Sequence, residues 1–104
     1  MNTITADEAR EMIEKSGVVI IDVRTPAEYG GGHIYGARNI DIHHSTFEEQ
    51  IRILDPSASY LVYCELGGRS SKAVSRLNEL GFSNVHNLAG GITAWKKSGL
   101  PVEK

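Results

Sequence analysis

The chain has 104 residues, 40% hydrophobic and 23% charged, with a formal charge of −2 and one cysteine, Cys64. That size suits one domain built on its own apolar core, and the composition excludes a disordered or collagen-like chain. A single cysteine permits no internal disulfide, no CxxC redox pair and no thiolate zinc cluster, and the near-balanced charge gives no case for nucleic acid or a membrane surface as partner.

From the N-terminus, Thr5-Ala6-Asp7-Glu8 reads as a capping box, with Thr5 as N-cap and Glu8 three residues on. Ala9, Met12 and Ile13 then share one helical face, and Gly17 ends that helix. Val18-Val19-Ile20-Ile21 is a continuous β-branched run, the pattern of a strand covered on both faces. Thr25-Pro26-Ala27-Glu28 starts a short helix with Pro26 in its first turn, and Gly30-Gly31-Gly32 ends it. Asn39-Ile40-Asp41-Ile42 alternates as a short strand. Ser45-Thr46-Phe47-Glu48 reads as a second capping box, ahead of Phe47, Ile51 and Leu54 at helical spacing, and Asp55-Pro56 closes that helix.

Tyr60-Leu61-Val62-Tyr63 is a strand by composition and runs directly into Cys64. Ser70 or Ser71 is placed to cap the next helix, whose inner face is Ala73, Val74, Leu77 and Leu80, stopped by Gly81. Asn84 to Leu88 is a last strand, and Gly91 to Lys97 a last helix presenting Ile92 and Trp95, with Pro101 beyond. Strands alternating with helices predict an α/β domain on a mainly parallel sheet, with residues 1–104 as one unit. The N-terminus has no basic start and no apolar segment, and the longest apolar run is far too short to span a bilayer, so a cytoplasmic location is expected.

The segment that carries chemistry is Cys64-Glu65-Leu66-Gly67-Gly68-Arg69-Ser70. A buried strand delivers a cysteine to its C-terminal end, where open α/β sheets bind ligands. Gly67 and Gly68 allow a tight curl whose N–H groups point inward, and a helix start adds unsatisfied amides and positive partial charge. Arg69 adds a planar cation suited to oxyanions. Such surroundings favour thiolate over thiol. They argue against Cys64 as inert filler and for a nucleophile attacking sulfur, phosphorus or arsenic. The charge distribution agrees: residues 1–63 hold 5 basic and 10 acidic groups (−5), while residues 64–104 hold 6 basic and 3 acidic groups (+3). His33, His43, His44 and His86 show no metal-ligand spacing, and structural or surface roles are expected, His33 as hydrogen-bonding support in its turn. No metal or cofactor is expected.

Four ordered segments make the chain resemble a single-domain rhodanese, a thiosulfate sulfurtransferase-type domain. They are Ile21-Asp22-Val23-Arg24 with Glu28-Tyr29, Gly32 to Ile40, the Cys64–Ser70 loop, and Leu88-Ala89-Gly90-Gly91 with Trp95 and Gly99-Leu100-Pro101. The resemblance implies a five-stranded, mainly parallel sheet flanked by helices on both faces. It implies that Cys64 accepts sulfane sulfur from thiosulfate or a persulfide donor and passes it to cyanide or a thiol. It also implies that Glu65, Leu66, Gly67, Gly68, Arg69 and Ser70 form the substrate cradle, that Arg24 lies near an anionic substrate, and that Asp22 supports the loop. Two positions depart from the pattern. Tyr35 stands where a proline is usual, and Glu65 and Leu66 stand where thiosulfate-specialised loops often carry basic residues. An acidic Glu65 beside the nucleophile disfavours a dianionic donor by about 1 kcal/mol where solvated, which leaves persulfides open as donors. The alternatives are a non-catalytic binding or sulfur-carrier module on the same fold and, ranked lower, a phosphatase or arsenate reductase. The four residues between Cys64 and Arg69 make a loop one shorter than the C-x5-R loops of those enzymes.

Overall fold

A computed structural model describes residues 2–15 and 17–104; Met1 and Ser16 lie outside the described residues. Ten elements follow in chain order: β1 (Asn2–Ile4), α1 (Ala6–Lys15), β2 (Val19–Asp22), α2 (Pro26–Gly30), β3 (Arg38–Asn39), α3 (Phe47–Arg52), β4 (Tyr60–Tyr63), α4 (Gly68–Glu79), β5 (Val85–Leu88) and α5 (Gly91–Lys97). The five strands form one sheet in the order β1-β5-β4-β2-β3, and every strand pair is parallel.

The β4 run sits in the centre of that sheet, and all four of its residues are buried. Alternation then splits the core in two. Tyr60, Val62 and Cys64 pack with Phe47 and Ile51 of α3 and with Ala73, Val74 and Leu77 of α4. Leu61 and Tyr63 point the other way, against Ala6 and Ala9 of α1 and Ile92 and Trp95 of α5. Helices therefore cover both faces, as a parallel sheet requires. Each fully buried Leu, Ile or Val in these layers contributes about 1.5–3 kcal/mol. No helix among the described residues is long and apolar enough to cross a membrane.

The Thr5 capping box forms as the sequence predicts, and the predicted helix start at Thr25-Pro26 forms with a capping box that was not predicted. Thr5 and Glu8 exchange both bonds of a capping box at 2.8 and 3.1 Å. Thr25 and Glu28 do the same around Pro26 at 3.0 and 3.2 Å. The Ser45–Glu48 box does not form. α3 starts at Phe47 behind Thr46 with no side-chain cap, because the Glu48 carboxylate is drawn to Arg76 of α4, with both contacts at 2.7 Å. The strand predicted over Asn39–Ile42 shortens to β3, although Ile40 and Ile42 still donate to Asp22 and Val23 carbonyls. β1 was not predicted: it is a three-residue edge strand held in register on β5, Asn2 opposite His86 and Ile4 opposite Leu88.

Candidate active site

β4 ends at Tyr63, so Cys64 emerges at the C-terminal edge of the sheet with its side chain on the α4 face, and it is 1% exposed. The chain then turns through Gly67, whose φ of +112° lies where residues with a Cβ are strained. That turn lets α4 begin at Gly68 with Gly67 at the N-cap, three residues earlier than a Ser70 cap would have it. Ser70 is therefore not a cap. It lies fully buried in the first turn of α4, with its hydroxyl 3.4 Å from the Cys64 Sγ. The Gly67 N–H donates to the same sulfur at 3.0 Å. Burial pushes the Cys64 thiol up, but the Ser70 hydroxyl and the backbone N–H groups of Ser70, Gly67 and Leu66 outweigh it and hold the thiol below its ordinary value.

α5 closes the loop from behind. The Ile92 and Thr93 amides donate to the Cys64 and Glu65 carbonyls at 3.0 and 3.2 Å. Gly91 sits against those same two carbonyls, with a φ of +59° and no room for a Cβ. From β5, the Asn87 side chain reaches the Ser70 hydroxyl and, at 3.5 Å, the Gly67 carbonyl.

The cations near Cys64 are both engaged. Asp22 and Arg24, both buried, form a bidentate pair with contacts from 2.7 to 3.1 Å, and Asp22 also accepts the Arg24 N–H at 2.9 Å. Burial opposes the Arg24 charge, yet its bonds to Asp22 hold it protonated. Arg24 further donates to the Gly32 carbonyl at 2.8 Å and to Glu65 at 3.2 Å. Glu65 takes a second bond, from the Thr93 hydroxyl at 3.2 Å.

Arg69 differs from the expectation that its fork is open to an oxyanion. Both of its terminal nitrogens are bound to Glu28, at 2.8 and 3.0 Å. Arg69's hydrogen bonds are the main reason the Glu28 carboxyl is pulled down to about 2, against opposition from burial. Leu66 and Tyr35 project outward, 69% and 76% exposed. Trp95 is core, and its indole N–H donates to Pro101. His33 is buried in its turn, stacked on Tyr29, with its ring nitrogens against the Tyr29 carbonyl and Glu103.

The structure thus brings Cys64, Gly67 and Ser70 together in one cradle, with Asp22, Arg24 and Glu65 linked beside it and Arg69 tied to its flank. Sequence reasoning missed three participants. Glu28 was read only as part of a helix start and of the family-like segment with Tyr29, and it serves both the Thr25 capping box and Arg69. Asn87 and Thr93 gave no local signal, since each acts on a partner 17 to 28 residues away. Chemically, the cradle offers N–H and O–H donors to one sulfur, an arrangement that stabilises negative charge there.

A parallel sheet of this order, with a cysteine at the end of its central strand and a glycine-turned loop opening a helix, is the architecture of a known family of α/β domains. The chain belongs to the Rhodanese-like domain family, whose model matches residues 5–98. A Pseudomonas putida protein named thiosulfate sulfurtransferase GlpE is 38% identical over 93 residues, covering 89% of this chain and 83% of its own length. An Allochromatium vinosum protein named sulfurtransferase is 32% identical, covering 90% and 86%. Among solved structures, a rhodanese-related protein from Thermoplasma volcanium superposes with a TM-score of 0.88 at 36% identity, covering 99% of this chain and 98% of that one.

Proposed function

We propose that the chain is a sulfurtransferase that carries sulfane sulfur as a persulfide on Cys64. The observation that carries this reading is the buried Cys64 sulfur held by the Gly67 amide and near the Ser70 hydroxyl. In the first step the Cys64 thiolate attacks the outer sulfur of the donor. A Cys64–sulfur bond forms, and the donor's own sulfur–sulfur bond breaks, its electron pair leaving with sulfite when the donor is thiosulfate, or with a thiolate when it is a persulfide. In the second step cyanide or a thiolate attacks the terminal sulfur, takes it, and returns Cys64 to thiolate.

In this reading the amides of Glu65 to Ser70 cradle the sulfur anion, Asp22 braces Arg24, and Arg24 flanks the incoming donor. Cys64 is the one cysteine of the 104 residues, so the persulfide leaves to an external acceptor. A free buried thiol of this kind suits a reducing, cytoplasmic compartment. The engagement of both guanidiniums by Asp22, Glu65 and Glu28 favours a persulfide over dianionic thiosulfate as the preferred donor.

The test is intact mass after mixing with thiosulfate or a low-molecular-weight persulfide. A gain of about 32 Da, one sulfur atom, is expected on the wild type and lost in Cys64→Ser. A gain retained by Cys64→Ser, or thiocyanate formation by that variant at the wild-type rate, would overturn the proposal.

A further inference from the structure

Ser70 has one hydroxyl proton and three acceptors within reach. The Cys64 sulfur lies at 3.4 Å, the Gly67 carbonyl at 3.2 Å, and the Asn87 side-chain carbonyl is the closest of the three. Ser70 is fully buried and Asn87 is 6% exposed, so the choice is made among protein groups. The amide orientation of Asn87 is set by its surroundings. Its NH2 end faces the Gly67 carbonyl at 3.5 Å; reversed, it would bring two carbonyl oxygens together. The backbone of Asn87 is fixed in register opposite Val62, and its side chain reaches the same Ser70 that approaches the sulfur.

We propose that Asn87 is a positioning residue that acts through Ser70 to set the balance between thiol and thiolate at Cys64. With Cys64 as a thiol, Ser70 gives its proton to the Asn87 carbonyl and turns a lone pair toward the S–H. When the thiol proton leaves to water, the Ser70 hydroxyl rotates and donates to the sulfur anion, and the Asn87 carbonyl loses its bond. A persulfide anion on Cys64 makes the same demand. Asn87 therefore competes with the sulfur anion for one proton and holds thiolate formation in check. No covalent bond changes at Ser70 or Asn87; one hydroxyl rotates. The Ser70 hydroxyl also leads the hydrogen bonds that draw the Cys64 thiol down, so its direction matters to the ionisation.

The inference deepens the reading of Cys64 as nucleophile, and its functional meaning rests on that reading, but its test needs no sulfur donor. The rate of Cys64 alkylation by iodoacetamide is followed against pH in the wild type, Asn87→Leu, Ser70→Ala and the double variant. Removing the competing acceptor should lower the alkylation midpoint of Asn87→Leu by about half to one pH unit, roughly three- to tenfold more thiolate below the midpoint. In the Ser70→Ala background the Asn87 substitution should shift nothing further. Asn87→Ala, which also removes the acceptor, carries the same expectation should Asn87→Leu fail to fold. Damage to the fold alone would not move the midpoint downward in a Ser70-dependent way. A midpoint that stays or rises in the single variant, or that falls equally without Ser70, overturns the inference. Shifted midpoints with no persulfide formation would leave it standing while sinking the sulfurtransferase reading; unshifted midpoints with normal persulfide formation would do the reverse.

Discussion

Glu65 gives the sharpest test of how charge at the cradle selects a donor. Three carboxylates, Asp22, Glu28 and Glu65, face two guanidiniums, Arg24 and Arg69, in the linked pairs around Cys64. The local balance is one negative charge before the thiolate is counted. The Glu65 side chain is 42% exposed, so a solvent-like dielectric applies. One carboxylate about 6 Å from a thiosulfate dianion then costs about 1.4 kcal/mol, and about half survives screening at physiological salt. Glu65→Gln keeps an acceptor for Arg24 and Thr93 while removing the charge, so the KM for thiosulfate should fall roughly threefold. Glu65→Lys changes the charge twice as far and should lower it about tenfold. Steady-state thiocyanate formation against thiosulfate concentration measures both, and the gap should narrow at high salt. A KM that is unchanged or higher in Glu65→Gln, or a fall insensitive to salt, refutes the reasoning.

Gly91→Ala places a Cβ against the Cys64 and Glu65 carbonyls at a φ of +59°, so a stability loss of about 2–4 kcal/mol is expected. Thermal unfolding should show a Tm lower by roughly 10 °C or more, whereas a melt coincident with wild type would mean the backbone there yields freely. The Glu28–Arg69 pair should make stability acid-sensitive. The folded-state carboxyl lies at about 2, below its ordinary value of about 4.3, so the pair stabilises fully above the ordinary value and is lost as pH falls toward 2. Glu28 is about one-third exposed, so the contribution is about 1–2 kcal/mol after solvent screening. Urea midpoints of Glu28→Gln should be lower than wild type at neutral pH and converge with it near pH 2; parallel curves would count against the pair.

What was legible in the sequence was what neighbours in the chain decide. The β4 run is apolar on both faces and leads straight into Cys64, so the buried strand and its delivery of the cysteine followed from composition. The Thr5 capping box and the helix start at Thr25-Pro26 are each decided within four neighbouring residues, and both form. The Ser45 box has the same spacing, but Arg76, far along the chain, wins the Glu48 carboxylate. β1 has only three residues and exists because β5 offers it an edge. Within the site, the glycine turn and the cysteine were legible, whereas the capture of Arg69 by Glu28 across 41 residues was not. Asn87 read as one more residue of a strand, and only the sheet register carries it to Ser70.

The contacts between α5 and the loop have an electrical consequence. A trans peptide holds its C=O and N–H on opposite sides. With the Cys64 and Glu65 oxygens bound by the Ile92 and Thr93 amides, the N–H groups of Glu65 and Leu66 must face away from α5. Leu66 shows the result, since its N–H is among the groups that favour the Cys64 anion. Flipping either peptide would turn an oxygen toward the cradle and strip a hydrogen bond from the start of α5. A helix that sends no side chain to the sulfur thereby fixes the polarity of the ring that holds it.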